Sequence, residues 1–368
     1  MAQQGAHALR PFRVVAVNVN GLADASKRRT FFAWMHDQKC DVVLLSETHC
    51  KSPDQGQQWV QEGTGRRAWR GQAFFACANG HQQRQRPTSG VAVLLSQRIV
   101  AAEAEAEIEY ADNEGGRLLR VRWQAPWGQH LAAMAVYAPA VAACRPSFYA
   151  TEYMRALDAG MGGARLIVGG DFNCALTAAD VMAAPGTNPL ASSRMVGGQD
   201  LQLVNSTADL VDVWRKLYPH RQQPTHYSFS GGRSAAASSQ QPQHGQQQPA
   251  PAAHAVSGGR LDYIFLPADM LADGWVQSCR QLERWPSDHR PVVVSLQPPT
   301  MPLPGQRRWQ LPAHLLGNAA FVEAVGQGLR EVRTGQMQQQ QPPDPATAWE
   351  QLVQCAVHLC KAEAYRHR

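Results

Sequence analysis

No apolar run in the 368 residues approaches the roughly 18 that a membrane helix needs, so a membrane-spanning reading has no support. The stretch from Met1 to Pro11 lacks the apolar segment of a secretory signal. Cysteine is sparse: the 8 residues (40, 50, 77, 144, 174, 279, 355 and 360) contain no C-x-x-C pair and no zinc-ligand spacing. Reduced thiols in an intracellular protein are the default. Only 17% of residues are charged, which excludes a charged disordered tail or a coiled coil. There is no internal repeat. What the chain does have is 44% apolar residues, enough for a sizeable core, and 35 basic against 29 acidic residues. The basic excess is almost entirely arginine, whose planar fork suits a polyanionic partner. At roughly 100–200 residues per domain the length predicts about two domains, or one longer two-sheet unit.

Short, β-branched apolar runs recur between Phe12 and Leu296 and predict strands. They fall at Arg13 to Val17, Asp41 to Leu45, Gly90 to Leu95, Leu118 to Trp123, Leu131 to Tyr137, Arg165 to Val168, Leu261 to Leu266 and Pro291 to Leu296. Ala102 to Tyr110 alternates Glu with Ala or Ile and predicts a half-exposed strand. Helical spacing appears at Ser26 to Gln38, Pro146 to Ala159 and Thr207 to Leu217. Strands with interleaved helices predict α/β sheets packed face to face with helices outside.

Two stretches break the rhythm. Residues 230–259 are almost wholly Ser, Gly, Ala, Gln, Pro and His, which predicts a disordered insert within the folded domain; residues 336–343 form a second such tract. After Pro298 a Pro-rich linker leads to helical periodicity over Leu315 to Val332, then to Trp349, Leu352, Val353, Ala356, Val357 and Cys360 at helical spacing. The organisation read from the sequence is a flexible 1–11, a domain over 12–298 and a linker with a helical tail over 299–368.

Polar residues stand at the ends of the predicted strands. The first runs into Asn18-Val19-Asn20-Gly21, the second into Ser46-Glu47-Thr48, and the sixth into Gly169-Gly170-Asp171-Phe172-Asn173. Arg260-Leu261-Asp262-Tyr263 and Ser287-Asp288-His289 follow later. Singly, each has a structural reading: Asn20-Gly21 as a turn, Glu47 as a helix N-terminal charge, Asp171 to Asn173 as a capped turn, Tyr137 as core, His289 as a satisfied interior histidine. Ligand sites in α/β sheets form beyond strand ends, so these groups can converge. Hard oxygen donors without thiolates suit Mg²⁺, with Mn²⁺ as the alternative, and Asp262 with His289 is the candidate carboxylate–imidazole pair. Such a set suits metal-assisted displacement at phosphorus.

In order and wording, the run from Phe12 to Leu296 resembles the endonuclease/exonuclease/phosphatase superfamily, which includes abasic-site repair endonucleases, deoxyribonuclease I and inositol-phosphate phosphatases. Asn18 in NVNG, Glu47 in LLSETH, Tyr137 in VYAP, Asp171 and Asn173 in GGDFN, Asp262 in RLDYIF, and Asp288 with His289 in SDHRPV follow that family's motif order. The implied fold is a four-layer α-β-β-α sandwich with two packed central sheets, like that of deoxyribonuclease I. SETH, the PTHYSFS segment and the tail around Arg308-Trp309 and Trp349 resemble the endonuclease domain of a LINE-type (non-LTR) retrotransposon polyprotein.

That resemblance implies a nuclear, Mg²⁺-dependent endonuclease that nicks DNA and leaves a 3′ hydroxyl. A reverse-transcriptase domain, absent from this chain, is the implied partner. In the implied roles, Glu47 holds the metal with Asn18 and Asp288, Asp171 and Asn173 serve the attacking water and the metal shell, Tyr137 and His289 stabilise the phosphorus, and Asp262 steadies His289. Arg260 and Thr225 are the candidate phosphate or groove contacts. Asn20 and Ala140 depart from residues common among relatives. The alternatives are abasic-site repair, phosphomonoester hydrolysis, or a non-catalytic binding relic. Gly258 and Gly259 stand where repair relatives carry an aromatic, which weighs against repair.

Overall fold

The computed structural model describes residues 11–62, 69–78, 88–102, 104–160, 162–183, 186–229, 255–282, 287–299 and 319–337. In chain order the strands are β1 (Phe12–Asn18), β2 (Val42–Ser46), β3 (Gly71–Ala76), β4 (Val91–Ser96), β5 (Glu107–Ala111), β6 (Leu118–Gln124), β7 (His130–Tyr137) and β8 (Arg165–Asp171). They continue as β9 (Val181–Met182), β10 (Leu210–Asp212), β11 (His226–Phe229), β12 (Ala255–Gly259), β13 (Asp262–Pro267), β14 (Val276–Gln281) and β15 (Val292–Leu296). Two six-stranded sheets form, in the orders β14-β15-β1-β2-β4-β3 and β10-β13-β8-β7-β6-β5, beside a small sheet β11-β12-β9.

The central strands are apolar on both faces because each sheet is covered twice. In β1, Val14 and Ala16 face the core between the sheets, where they meet Leu44, Val93, Ala133, Ile167 and Ile264. Val15 and Val17 face the other way, towards Phe31, Met35 and Trp59. On the second sheet, Met134, Val136 and Val168 pack against Tyr149, Tyr153 and Leu201. Alternation of period two thus separates a central core from two outer ones. Each of the Val, Leu, Ile, Phe and Met side chains among them contributes roughly 1.5–3 kcal/mol on burial. The result is the expected four-layer α-β-β-α sandwich: helices Ala25–Asp37 and Pro53–Gln61 on one side, and the helical segment 145–158 with helix Gly198–Thr207 on the other.

Local chemistry sets the helix starts. The Asp24 carboxylate accepts the Lys27 backbone N–H at 2.7 Å, and the Ser52 hydroxyl accepts that of Gln55 at 3.2 Å ahead of Pro53. Three expectations need correction. The helix expected over 207–217 is divided: helix Gly198–Thr207 ends, Asp209 takes a left-handed φ of 54°, and β10 intervenes before helix Val213–Leu217. Pairing with β13 and a new cap at Asp212 outweigh the continuous apolar spacing. The strand expected over 102–110 is present only as β5. The insert expected over 230–259 ends earlier than its composition implies, because 255–259 is β12, paired with both β11 and β9; residues 230–254 lie outside the described residues.

The chain divides into two units, Met1–Met301 and Pro302–Arg368. In the second, helix Ala319–Met337 is described; the periodic stretch from Trp349 to Cys360 and the expected flexible residues 1–10 lie outside the described residues.

Candidate active site

Topology gathers the polar strand ends. β1 and β2 run parallel, as do β7 and β8, so Asn18, Glu47, Tyr137 and Asp171 all emerge where their strands finish. β13 runs antiparallel to β8 and begins with Asp262 directly opposite Asp171. β15 runs antiparallel to β1, which brings the preceding Asp288 and His289 back to the end of β1.

Asn18 joins the two sheets. Its Nδ2 donates to Glu47 Oε1 and to Asp171 Oδ2, each at 2.9 Å, while its Oδ1 accepts the Asn20 backbone N–H at 2.9 Å. Both ends of this amide are engaged, and its nitrogen ties the two carboxylates together. Asp171 Oδ1 accepts the Asn173 N–H at 2.8 Å, and the Asn173 amide donates to the Ala138 carbonyl at 2.9 Å. His289 Nδ1 lies 2.8 Å from Asp262 Oδ2, and its Nε2 lies 3.9 Å from Asp171 Oδ2. The Tyr137 hydroxyl faces Glu47, and the Arg117 guanidinium stands 5.2 Å over the Tyr137 ring.

These surroundings set the protonation states. Burial alone would lower the His289 pKa, but Asp262, Asp171 and Asp288 raise it to about 10. Burial pushes Asp171 up to about 7, with His289 opposing and Asp262 reinforcing the shift. Tyr137 is held well above the ordinary phenol range by burial and by Glu47, so it stays protonated. Glu47 is lowered: burial would raise it, and hydrogen bonds from His49 and Asn18 outweigh that effect.

Sequence reading passed over four neighbours of this cluster: Lys27, His49, Arg117 and His226. Lys27 Nζ donates to the Asn20 carbonyl at 2.8 Å and faces both Glu47 and Asp288. A lysine in a helix's first turn opposes the helix dipole, and that was its available signal. His49 Nε2 lies 3.6 Å from Glu47 Oε2. His226 follows Thr225, with its ring centroid 4.8 Å from that of His289. Of the six non-glycine residues with positive φ among the described residues, Asn20, Glu47, His49 and Asn173 line this one site. Such conformations concentrate where function holds the backbone.

Glu47 and Asp288 suit a hard divalent cation. Their side chains are 21% and 23% exposed, so each can meet an ion that keeps part of its water. That both face the Lys27 ammonium marks a shared region of negative potential.

Arg260 and Thr225 are corrected. Arg260 is 2% exposed, with Nε on Asp180 Oδ1 at 2.7 Å and Nη2 on Asp212 Oδ2 at 2.6 Å, while its guanidinium covers the Tyr263 ring at 4.3 Å. The Thr225 side chain is wholly buried, and its oxygen accepts the backbone N–H groups of Leu261 and Asp262 at 2.9 and 3.1 Å. Both brace the start of β13 from inside, and burial keeps both from a phosphate: Arg260 Nη1, which has no hydrogen-bond partner among the described residues, is itself buried.

Residues 15–289 match the Endonuclease/Exonuclease/phosphatase family. The chain belongs to this family. The family takes in endonucleases, exonucleases and phosphatases, divalent-metal-dependent enzymes that hydrolyse phosphate esters. The chain is also similar to the Transposon TX1 uncharacterized 149 kDa protein of Xenopus laevis, 25% identical over 316 residues. That match takes in 85% of this chain and only 20% of the relative, so the chain spans about one-fifth of its length. The transposon resemblance read from the sequence thus has a counterpart among known proteins. Among solved structures, AP endonuclease LMAP from Leishmania major superposes with a TM-score of 0.56 at 18% identity, covering 79% of this chain and 89% of that one. An AP endonuclease from Archaeoglobus fulgidus gives 0.52 at 15% identity, covering 77% and 99%. Both establish the fold.

Proposed function

We propose that this family member is a Mg²⁺-dependent DNA endonuclease that nicks one strand, as at the target site of a mobile element, in the nucleus. The observation that carries the reading is the joining of Glu47 and Asp171 by one amide nitrogen of Asn18, with the Asp262–His289 pair alongside. This assembles a metal-facing carboxylate, a buried carboxylate of raised pKa and a held imidazolium around one point.

Glu47 and Asp288 would hold the cation, which when bound would neutralise charge on the phosphoryl and leaving oxygens. Asp171, with a pKa near neutrality, is suited to accept the proton of the attacking water. Asn173 holds Asp171 from its backbone N–H. Tyr137 and the His289 imidazolium are protonated donors for the phosphoryl oxygens that gain charge as phosphorus becomes five-coordinate. Asp262 fixes the His289 ring through Nδ1 and leaves Nε2 for that contact. Cleavage of the bond from phosphorus to the 3′ oxygen then leaves a 3′ hydroxyl able to prime synthesis.

Supercoiled-plasmid nicking tests this directly. Nicking should require Mg²⁺, stop with EDTA, and fall at least about 100-fold in Glu47→Gln and in Asp171→Asn, with DNA retention on a gel unchanged. Nicking near the wild-type rate by either variant sinks the assignment. An abasic oligonucleotide in the same assay separates the repair reading, which the Gly258–Gly259 end of β12 disfavours because it offers no ring to wall an abasic pocket.

A further inference from the structure

His226 takes no part in the reaction as described. It opens β11, and an isolated backbone bridge ties it to His289. The two imidazole rings are tilted by 50° with centroids 4.8 Å apart. His226 Nε2 lies 3.8 Å from Asp288 Oδ2. One ligating atom from each of His226, Asp288 and His289 falls within 4.8 Å of the others.

Two further features suit these atoms to a metal. His289 is already backed by Asp262 at 2.8 Å through Nδ1, the carboxylate–histidine arrangement that orients imidazole ligands and leaves Nε2 to bind. His226 Nδ1 is buried with no hydrogen-bond partner among the described residues, so none of those residues fixes that ring's tautomer. Four-coordinate zinc, with bonds of about 2.0–2.1 Å, places its ligand atoms about 3.4 Å apart. Closing the triad onto an ion therefore needs shifts of about an ångström, and the His226 and Asp288 side chains are both partly exposed. A set of two imidazoles and one carboxylate is a poor match for Mg²⁺, which favours oxygen, and a good one for a borderline cation.

We propose that His226, Asp288 and His289 form a second, nitrogen-containing site for a borderline divalent cation of the Zn²⁺ class, and that filling it silences nicking. Occupation would displace the Nε2 proton of the His289 imidazolium to solvent, so that nitrogen no longer donates to the phosphate, and would draw Asp288 from the oxygen cluster beside Glu47, so the two cations compete for one carboxylate. The inhibitory half rests on the nuclease reading. The binding half does not.

Calorimetry with Zn²⁺ and visible absorption with Co²⁺ on the full, metal-stripped chain read binding without any nicking assay. The wild type should take up one equivalent more than His226→Phe, and its tetrahedral Co²⁺ band should weaken in the variant; other histidines and cysteines cancel in the difference. Zn²⁺ should inhibit Mg²⁺-driven nicking by the wild type, with the inhibitory concentration raised at least about 10-fold in the variant. A thermal melt verifies folding, and His226→Gln replaces the phenylalanine variant should the latter unfold. Equal Zn²⁺ uptake by wild type and folded variant overturns the site. Unequal uptake with equal inhibition overturns the inhibitory role alone. Unequal uptake by a chain that nicks nothing supports the binding site and refutes the nuclease reading.

Discussion

Asp180 is enclosed: its side chain has no exposure, Arg260 and Arg215 both pair with it, and the Thr177 hydroxyl and N–H donate to Oδ2 at 2.9 and 3.0 Å. Burial would raise its pKa, and the two guanidiniums outweigh that and lower it. The folded pKa therefore lies below the unfolded value of about 3.9, so its stabilisation is full above roughly pH 4 and is lost as pH falls through the folded value. Asp180→Asn should flatten the acid limb of the stability profile measured by urea melts between pH 2 and 7. At neutral pH, Arg260→Met should cost about 3 kcal/mol or more, because the carboxylates of Asp180 and Asp212 lose a buried partner. A variant as stable as the wild type would return Arg260 to the DNA surface. The arginine was visible in the sequence two residues before Asp262, but its direction was not: RLDY reads the same whether the guanidinium faces a phosphate or an interior aspartate.

Strand β8 has to end close against β7 to place Asp171 beside Tyr137 and Asn18. Gly170 makes this possible. Its φ is +146°, and a Cβ there would stand 2.0 Å from the Val136 carbonyl oxygen. Gly170→Ala should cost about 1–3 kcal/mol in chemical denaturation, and nicking should fall further than that loss explains, since the neighbouring Asp171 moves with the backbone. Unchanged nicking would mean that the pairing of Tyr137 with Asp171 does not position the carboxylate. Where the sequence reading went astray among the elements, the competing force is identifiable. The Thr207 to Leu217 stretch has helical spacing, yet the residues between its two helices pair with β13. Residues 255–259 have the composition of the insert, yet their backbone completes a three-stranded sheet.

Across the whole molecule, the site belongs to the unit ending at Met301, and every residue given a catalytic or metal role lies before Leu296. A chain of residues 1–301 should melt cooperatively and nick plasmid DNA within about threefold of the full chain. Loss of nicking by a folded 1–301 would assign the later residues a part in DNA engagement. The sandwich also explains why a site built from six separated segments is stable: each strand that ends in a functional group is buried on both faces, so the polar ends rest on rigid elements and only short loops carry the strain.

The order and wording of the strand ends determined the family, the four-layer fold and the candidate groups, because apolar runs and the polar residues that close them are local features of the chain. Which groups meet was decided only by the tertiary structure. Asn18 bridges Glu47 and Asp171 across 29 and 153 residues of sequence, and Lys27 and His226 reach the same point from a helix start and a hairpin. Arg260 and Thr225 carried the right chemistry and were turned inward by the ion pairs and backbone donors around them. Side-chain direction at a loop or strand end depends on partners distant in sequence, and those partners are fixed only when the two sheets pack.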